Sequence, residues 1–162
     1  MTSETDLARE LLRHTLATLA YRGGKAIRDI NVDVANYRAS ETTRTPLEIL
    51  AHIGDLLEWA LTQVRGEEMW RGAEPQTWPQ EVDRFFATLA ALEQYLASAA
   101  PLACAPQRLF QAPIADALTH VGQIAMLRRM AGSPMRGENY FKADIEAGRV
   151  GAEQSARRFE FD

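Results

Sequence analysis

At 162 residues, nearly half hydrophobic and a quarter charged, the chain suits a single domain, residues 1–162, with a substantial core. Its formal charge of −4 argues against sequence-independent nucleic-acid binding, which needs clustered Lys and Arg; the only local candidates for a basic patch, Arg128, Arg129 and Arg136, read as a helix C-terminal cluster instead. The polar, acidic start MTSETDLARE lacks the regions of a signal peptide, no apolar run nears the roughly 18 residues of a membrane span, and the lone Cys104 excludes an internal disulfide, so a cytoplasmic protein is expected.

Four long helices are predicted in chain order. The first runs from about Thr5 to Asp29, with Leu12, Leu16, Leu19, Ala26 and Ile27 as its inward stripe and Leu7 and Leu11 at one side. Gly23-Gly24 interrupts it at roughly 1 kcal/mol per glycine relative to alanine, so either the helix bends there or another backbone packs closely. His14 falls on the side away from Leu12 and Leu19 and reads as a surface residue. Asn31 to Thr43 shows no period and is expected to be a connection.

Thr45-Pro46-Leu47-Glu48 is a strong start for the second helix: a capping threonine, a proline in the first turn and a glutamate that completes a capping box. Ile49, Ile53, Leu56, Leu57, Ala60 and Val64 form its buried stripe. His52 lies roughly 100° from the centre of that stripe, on the edge, with Asp55 and Trp59 near it.

Arg65 to Thr77 reads as a loop with Trp70 and Trp78 as plugs. Thr77, Pro79 and Gln80 then start the third helix, whose core face is Val82, Phe85, Phe86, Leu89, Leu92 and Leu96. The connection from Ala100 to Gln111 holds Cys104, an incidental thiol with no histidine beside it in sequence. Pro113 is expected to open the fourth helix, and Arg128, Arg129 and Gly132 to close it. The tail from Ser133 to Gly151 is expected to pack on the helices, with at most one short helix near Lys142 to Ala147.

On the fourth helix, Ile114, Ala117, Val121, Ile124 and Ala125 share one face, and Asp116 and His120 sit on its rim four residues apart. Side chains at i and i+4 are neighbours, so both reach toward one small ion. With His52 from the second helix they make three ligands, which leaves a divalent metal an open position of the kind a catalytic site needs. A carboxylate in a first helical turn is also favoured by the helix dipole alone, by roughly 0.3–1 kcal/mol, and that reading of Asp116 stands beside the metal one.

The segments AHIGDLLEWAL and DALTHVGQIAMLRRM, with the W-P-x-E-V-x-R-F entry at Trp78 to Phe85, resemble the signature segments of the DinB/YfiT-like superfamily over most of the chain. The resemblance implies an all-α four-helix bundle with an up-down-down-up connection and a packed C-terminal tail. It also implies a metal site of one histidine from the second helix and two from an HxxxHxGQ pattern in the fourth. His52 matches the first and His120 the third; Asp116 stands where the second histidine would be. Aspartate is a legitimate ligand for zinc, nickel, manganese or iron, but it is shorter and anionic, and it moves selectivity toward harder ions or weakens binding.

By the same resemblance the chain acts on a small-molecule substrate with a low-molecular-weight thiol as co-substrate, the metal lowering the thiol's pKa. It is expected to form a homodimer. A metal-dependent hydrolase and a non-catalytic dimeric binding module with a degenerate metal site are the alternatives. Gln123, one turn beyond His120, is the expected hydrogen-bonding partner behind the ligands, and Trp59 the expected wall.

Overall fold

Caps and apolar periodicity place the long helices. The computed structural model describes residues 4–162, so Met1–Ser3, the start of the polar N-terminal stretch, lie outside it. It is mostly helical, in keeping with an all-α reading. Its elements are α1 (Glu4–Ile27), α2 (Val32–Ala35), α3 (Pro46–Arg65), α4 (Trp78–Ala97), α5 (Pro106–Leu109) and α6 (Ala115–Met130). Two short strands, β1 (Gly137–Glu138) and β2 (Glu160–Phe161), pair antiparallel in the C-terminal tail.

α3 starts as its sequence demands. The Thr45 hydroxyl accepts from the Glu48 amide at 3.2 Å, and the Glu48 carboxylate accepts from the Thr45 amide at 2.7 Å. Gly66, at φ 77°, ends the helix in the left-handed conformation that glycine adopts without strain. At α4 the Gln80 side chain accepts from the Thr77 amide at 3.1 Å.

α3 packs on α4 and α6, and α1 packs on the same two helices. The shared core takes Leu16 and Leu19 from α1, Ile53 and Leu57 from α3, Leu89 and Leu92 from α4, and Ile124 from α6, all fully buried. Polar contacts register the pairs. Arg9 of α1 donates to the Leu96 carbonyl at 3.2 Å, whereas Gly23, near the other end of α1, faces Phe85. Arg84 of α4 donates to the Ala51 carbonyl of α3 at 3.2 Å, and the Tyr95 hydroxyl donates to the Val64 carbonyl at 3.1 Å. Arg128 of α6 reaches the end of α1, donating to the Ala26 carbonyl at 2.9 Å.

Four expectations need correction. The Gly23-Gly24 pair stays helical, and what packs closely is an aromatic ring rather than a backbone: a Cβ on Gly23 would meet the Phe85 ring at 2.7 Å. The connection after α1 contains the short helix α2, because the Asn31 side chain caps it by accepting from the Val34 amide at 2.9 Å. Pro113 does not open the last long helix. Helical backbone begins at Pro106 and passes through a π-helical turn, Phe110–Ile114, with Pro113 inside it.

The fourth correction is in the tail. Its short helix is a 3₁₀ turn at Tyr140–Lys142, slightly before the expected place, and residues 143–147 form no helix. The tail does pack on the helices, as expected, with Glu138 and Val150 buried.

Candidate metal centre

Proline lacks an amide hydrogen and its ring crowds the carbonyl four residues back, so it fits poorly inside a regular α-helix. The wider π turn around Pro113 accommodates it and shifts the register of the following helix by roughly 100° per added residue. The amide of Ala115 is already paired, to the carbonyls of Ala112 and Phe110. Asp116 therefore does not sit at a free helix N-terminus, and the dipole argument for a carboxylate there loses its basis. What remains on that rim is the i,i+4 pair with His120.

The structure brings His52, Asp116 and His120 together across the α3–α6 seam. One ligand atom from each lies within 4.8 Å of the others, the one such cluster of His, Cys, Asp and Glu among the described residues. His52 Nε2 is 3.6 Å from Asp116 Oδ2, His120 Nδ1 is 3.2 Å from Asp116 Oδ1, and the two imidazole centroids are 4.8 Å apart. Donors held at about 2.0–2.2 Å from one divalent ion are themselves about 3–3.5 Å apart, and the His52–Asp116 separation is close to that, whereas the 3.2 Å approach of His120 Nδ1 to Asp116 is a hydrogen-bonding contact.

Tautomer matters as much as distance. His120 Nδ1 is 2.8 Å from the Asp116 backbone carbonyl, a pure acceptor, so the proton sits on Nδ1 and the Nε2 lone pair is the one on offer. A backbone carbonyl behind a metal-binding imidazole is a common way of fixing ligand orientation. Burial pushes the His52 imidazole below its ordinary pKa; the charges of His120 and Arg44 add to this and outweigh the opposing Asp116 and Asp55. His52 is thus neutral near pH 7, the form a metal requires. Both histidines are half-buried, whereas the Asp116 side chain is 45% exposed, too open for its ion pairs to contribute much stability. The trio suits a divalent cation by donor chemistry, with one ligand atom from each residue within 4.8 Å of the others.

The surroundings differ from expectation in two places. Gln123 is exposed and lines a neighbouring cavity, and the partner behind His120 is the Asp116 carbonyl. Trp59 is not the wall beside His52. Trp70 is, edge-on to His52 at 6.0 Å, and Trp59 backs Trp70 at 5.8 Å. Trp70 is 48% exposed, so it covers the site rather than plugging the core. His14 is exposed and is not part of the trio, and burial pushes the half-buried Cys104 thiol up in pKa, away from nucleophilic character.

One element escaped sequence reading altogether. Arg84 reaches across α3 to pair with Asp55 at 2.5 Å and Glu58 at 2.9 Å, with Glu81 of its own helix at 3.4 Å. Gly54 makes room for it, since a Cβ there would lie 3.0 Å from the guanidinium. This clamp grips α3 at residues on both sides of His52 and so fixes where the imidazole stands. The only sequence signal was the acidic run around an i,i+3 pair, which is common on solvated faces.

No protein-family model, curated protein or solved structure matches the chain in comparison. No helix among the described residues is long and apolar enough to cross a membrane.

Proposed function

We propose that the chain is a metal-dependent enzyme in which His52, Asp116 and His120 hold one divalent ion and a low-molecular-weight thiol is transferred to a small electrophile. The observation that carries the metal reading is the convergence of three ligand side chains from two helices within 4.8 Å, with His120 Nδ1 already tied back to a carbonyl. The reaction class rests on the resemblance of the α3 and α6 segments. Zinc and nickel are the leading ions, with manganese and iron favoured to the extent that the carboxylate hardens the site.

The ion would supply Lewis acidity that lowers the pKa of the thiol. The chain's own residues do the rest. Neutral His52 and the Nε2 lone pair of His120 present donors, Asp116 offsets one unit of positive charge, and Trp70 shields one side from water. A hydrolase acting through a metal-activated water would use the same three residues without a thiol.

The up-down-down-up four-helix bundle belongs to this proposal. Arg84 in the first half of α4 meets Ala51 and Asp55 in the first half of α3, and Tyr95 meets Val64 near both ends, which supports parallel α3 and α4. Residues 66–77 span up to roughly 40 Å when extended, enough to return across the length of the helices. Homodimer formation on outer helix faces, away from the ligands, and a cytoplasmic location complete the proposal. Sedimentation at micromolar concentration showing only an 18.1 kDa species removes the dimer.

A binding module without catalysis is favoured by one specific observation: Asp116 already lies close to both histidines, so the trio is partly satisfied by itself. Zinc and nickel titration of the chelator-treated protein decides first. Stoichiometric binding is expected, and its absence sinks the enzyme reading. A screen of thiols against a generic electrophile, with and without metal, then separates transfer from hydrolysis.

A further inference from the structure

Next to His120 on the α3–α6 seam lies a cavity of about 440 Å³, at the lower end of the range for small-molecule sites. Its wall is divided. Ile49, Met126 and Leu127 form an apolar side; Arg44, Gln123 and His120 form a polar one.

Arg44 is the unusual member. It is exposed, and among the described residues no carboxylate lies within ion-pair distance of its guanidinium. Nearby Arg38, by contrast, is held by Glu48 at 2.8 Å. The backbone of Arg44 is set from both sides, by the Thr43–Ser40 turn before it and the Thr45 capping box after it. Its charge is near enough to be felt by the His52 imidazole. No acidic side chain lines this cavity, so nothing among the described residues neutralises the cation there.

We propose that this cavity binds a small organic carboxylate, with Arg44 as the residue that selects for its charge, an inference that rests on the His52–Asp116–His120 trio as the reacting centre. The planar guanidinium fork matches a carboxylate bidentately, which a point charge does not. The apolar wall takes a short hydrocarbon or aromatic body. Gln123 offers an amide to a second polar group, and the far end of the ligand faces His120. The substrate is therefore an anionic electrophile of modest size.

The test uses benzoate and its neutral isostere benzamide as probes, followed by chemical-shift titration on chelator-treated and zinc-loaded full-length protein. In the metal-free protein benzoate is expected to shift the resonances of Gln123, Met126 and Leu127 and to bind about ten-fold more tightly than benzamide. Arg44→Ala is expected to remove about that factor for benzoate and leave benzamide unchanged, and Arg44→Lys to restore part of it. Arg44 is exposed, so both variants are expected to keep the helical circular dichroism of the wild type. Equal binding of the two probes, wild-type benzoate binding by Arg44→Ala, shifts confined to residues away from the cavity, or no binding of benzoate at tens of millimolar would each overturn the inference.

Zinc titration of the same samples keeps the two claims apart. Zinc binding without Arg44-dependent discrimination removes the carboxylate pocket alone. Discrimination without zinc binding leaves the pocket standing and removes the metal centre.

Discussion

Two polar clusters in this protein, each built from titratable side chains, are organised in opposite ways. Where the tail meets α1, the Lys25 ammonium, with its side chain 2% exposed, pairs with Glu138 and Glu160, each at 2.8 Å. The Tyr21 hydroxyl also donates to Glu138, and burial together with that hydrogen bond drives its pKa well up. Every charge in this clasp has a buried partner. At the α3–α6 seam the histidines are partly buried and Asp116 is 45% exposed; the three are only partly paired and adjacent to a cavity. A saturated buried cluster holds architecture together, because removing one partner strands the others. An unsaturated, half-exposed cluster beside a cavity retains capacity for a ligand.

The comparison is most exposed to failure at Glu138. Glu138→Ala leaves Lys25 with one carboxylate and the Tyr21 hydroxyl with none, and is expected to cost about 3–5 kcal/mol in denaturant unfolding. Zinc affinity should stay within about two-fold, since the clasp and the seam share no residue. A stability loss under 1 kcal/mol would mean the clasp is not structural.

The mirror experiment is His120→Ala. It is expected to weaken zinc binding by at least about 100-fold while lowering stability by no more than about 1 kcal/mol, as a half-buried rim residue should. Unchanged metal stoichiometry and affinity in calorimetry would remove the proposed centre.

Packing beside the clasp sharpens the contrast. Gly23→Ala drives a methyl into the buried Phe85 ring at 2.7 Å, and is expected to cost about 1–2 kcal/mol net of the gain in helix propensity. At Gly24 the nearest ring atom is at 3.5 Å, an ordinary contact, so Gly24→Ala should be neutral or stabilising by up to about 1 kcal/mol. Thermal melts of the two variants moving in the same direction would contradict the packing.

The smallest effect is in the order in which acid acts. The folded pKa of His52 lies below its unfolded value, so the unfolded chain takes up a proton first as pH drops below about 6.5, and stability falls through that window. Glu160 shifts in the same direction for a different reason. The hydrogen bond from Lys25 holds its folded pKa below the ordinary carboxylate value, so its contribution is intact above about pH 4.5 and is lost as pH falls through the folded value. Melting temperature against pH should therefore show a loss setting in below about pH 6.5 that His52→Gln removes, and a separate loss below about pH 4.5 that Glu160→Gln reduces. Zinc binding should weaken across the first window, because protons compete for the imidazoles. A melting curve flat from pH 7 to 5 in the wild type would contradict the His52 assignment.

What the sequence determined by itself was local. The long helices follow from apolar periods of three and four residues and from caps, each a matter of a few neighbouring positions, and the Thr45–Glu48 box appears where its residues stand. The Asp116–His120 pairing was legible for the same reason: residues four apart on a helix are neighbours whatever the rest of the chain does. His52 could be placed on the edge of its own helix face, but sequence spacing left open what that edge would meet.

Tertiary structure decided everything that depends on residues far apart in the chain. Pro113 looked like a helix start because a proline is best tolerated there; packing of the flanking turn instead kept the helix continuous through a wider turn. Trp70, in a loop with no period, acquires a role only when it folds back over His52. Arg84 finds Asp55 and Glu58 across two helices, and Lys25 finds Glu138 and Glu160 more than a hundred residues away. Charge pairs of this kind leave no period and no fixed spacing, because their partners are chosen by how the helices and tail come to lie against each other. Whether a charge ends up paired and buried, like Lys25, or unpaired beside a cavity, like Arg44, is settled by that packing alone.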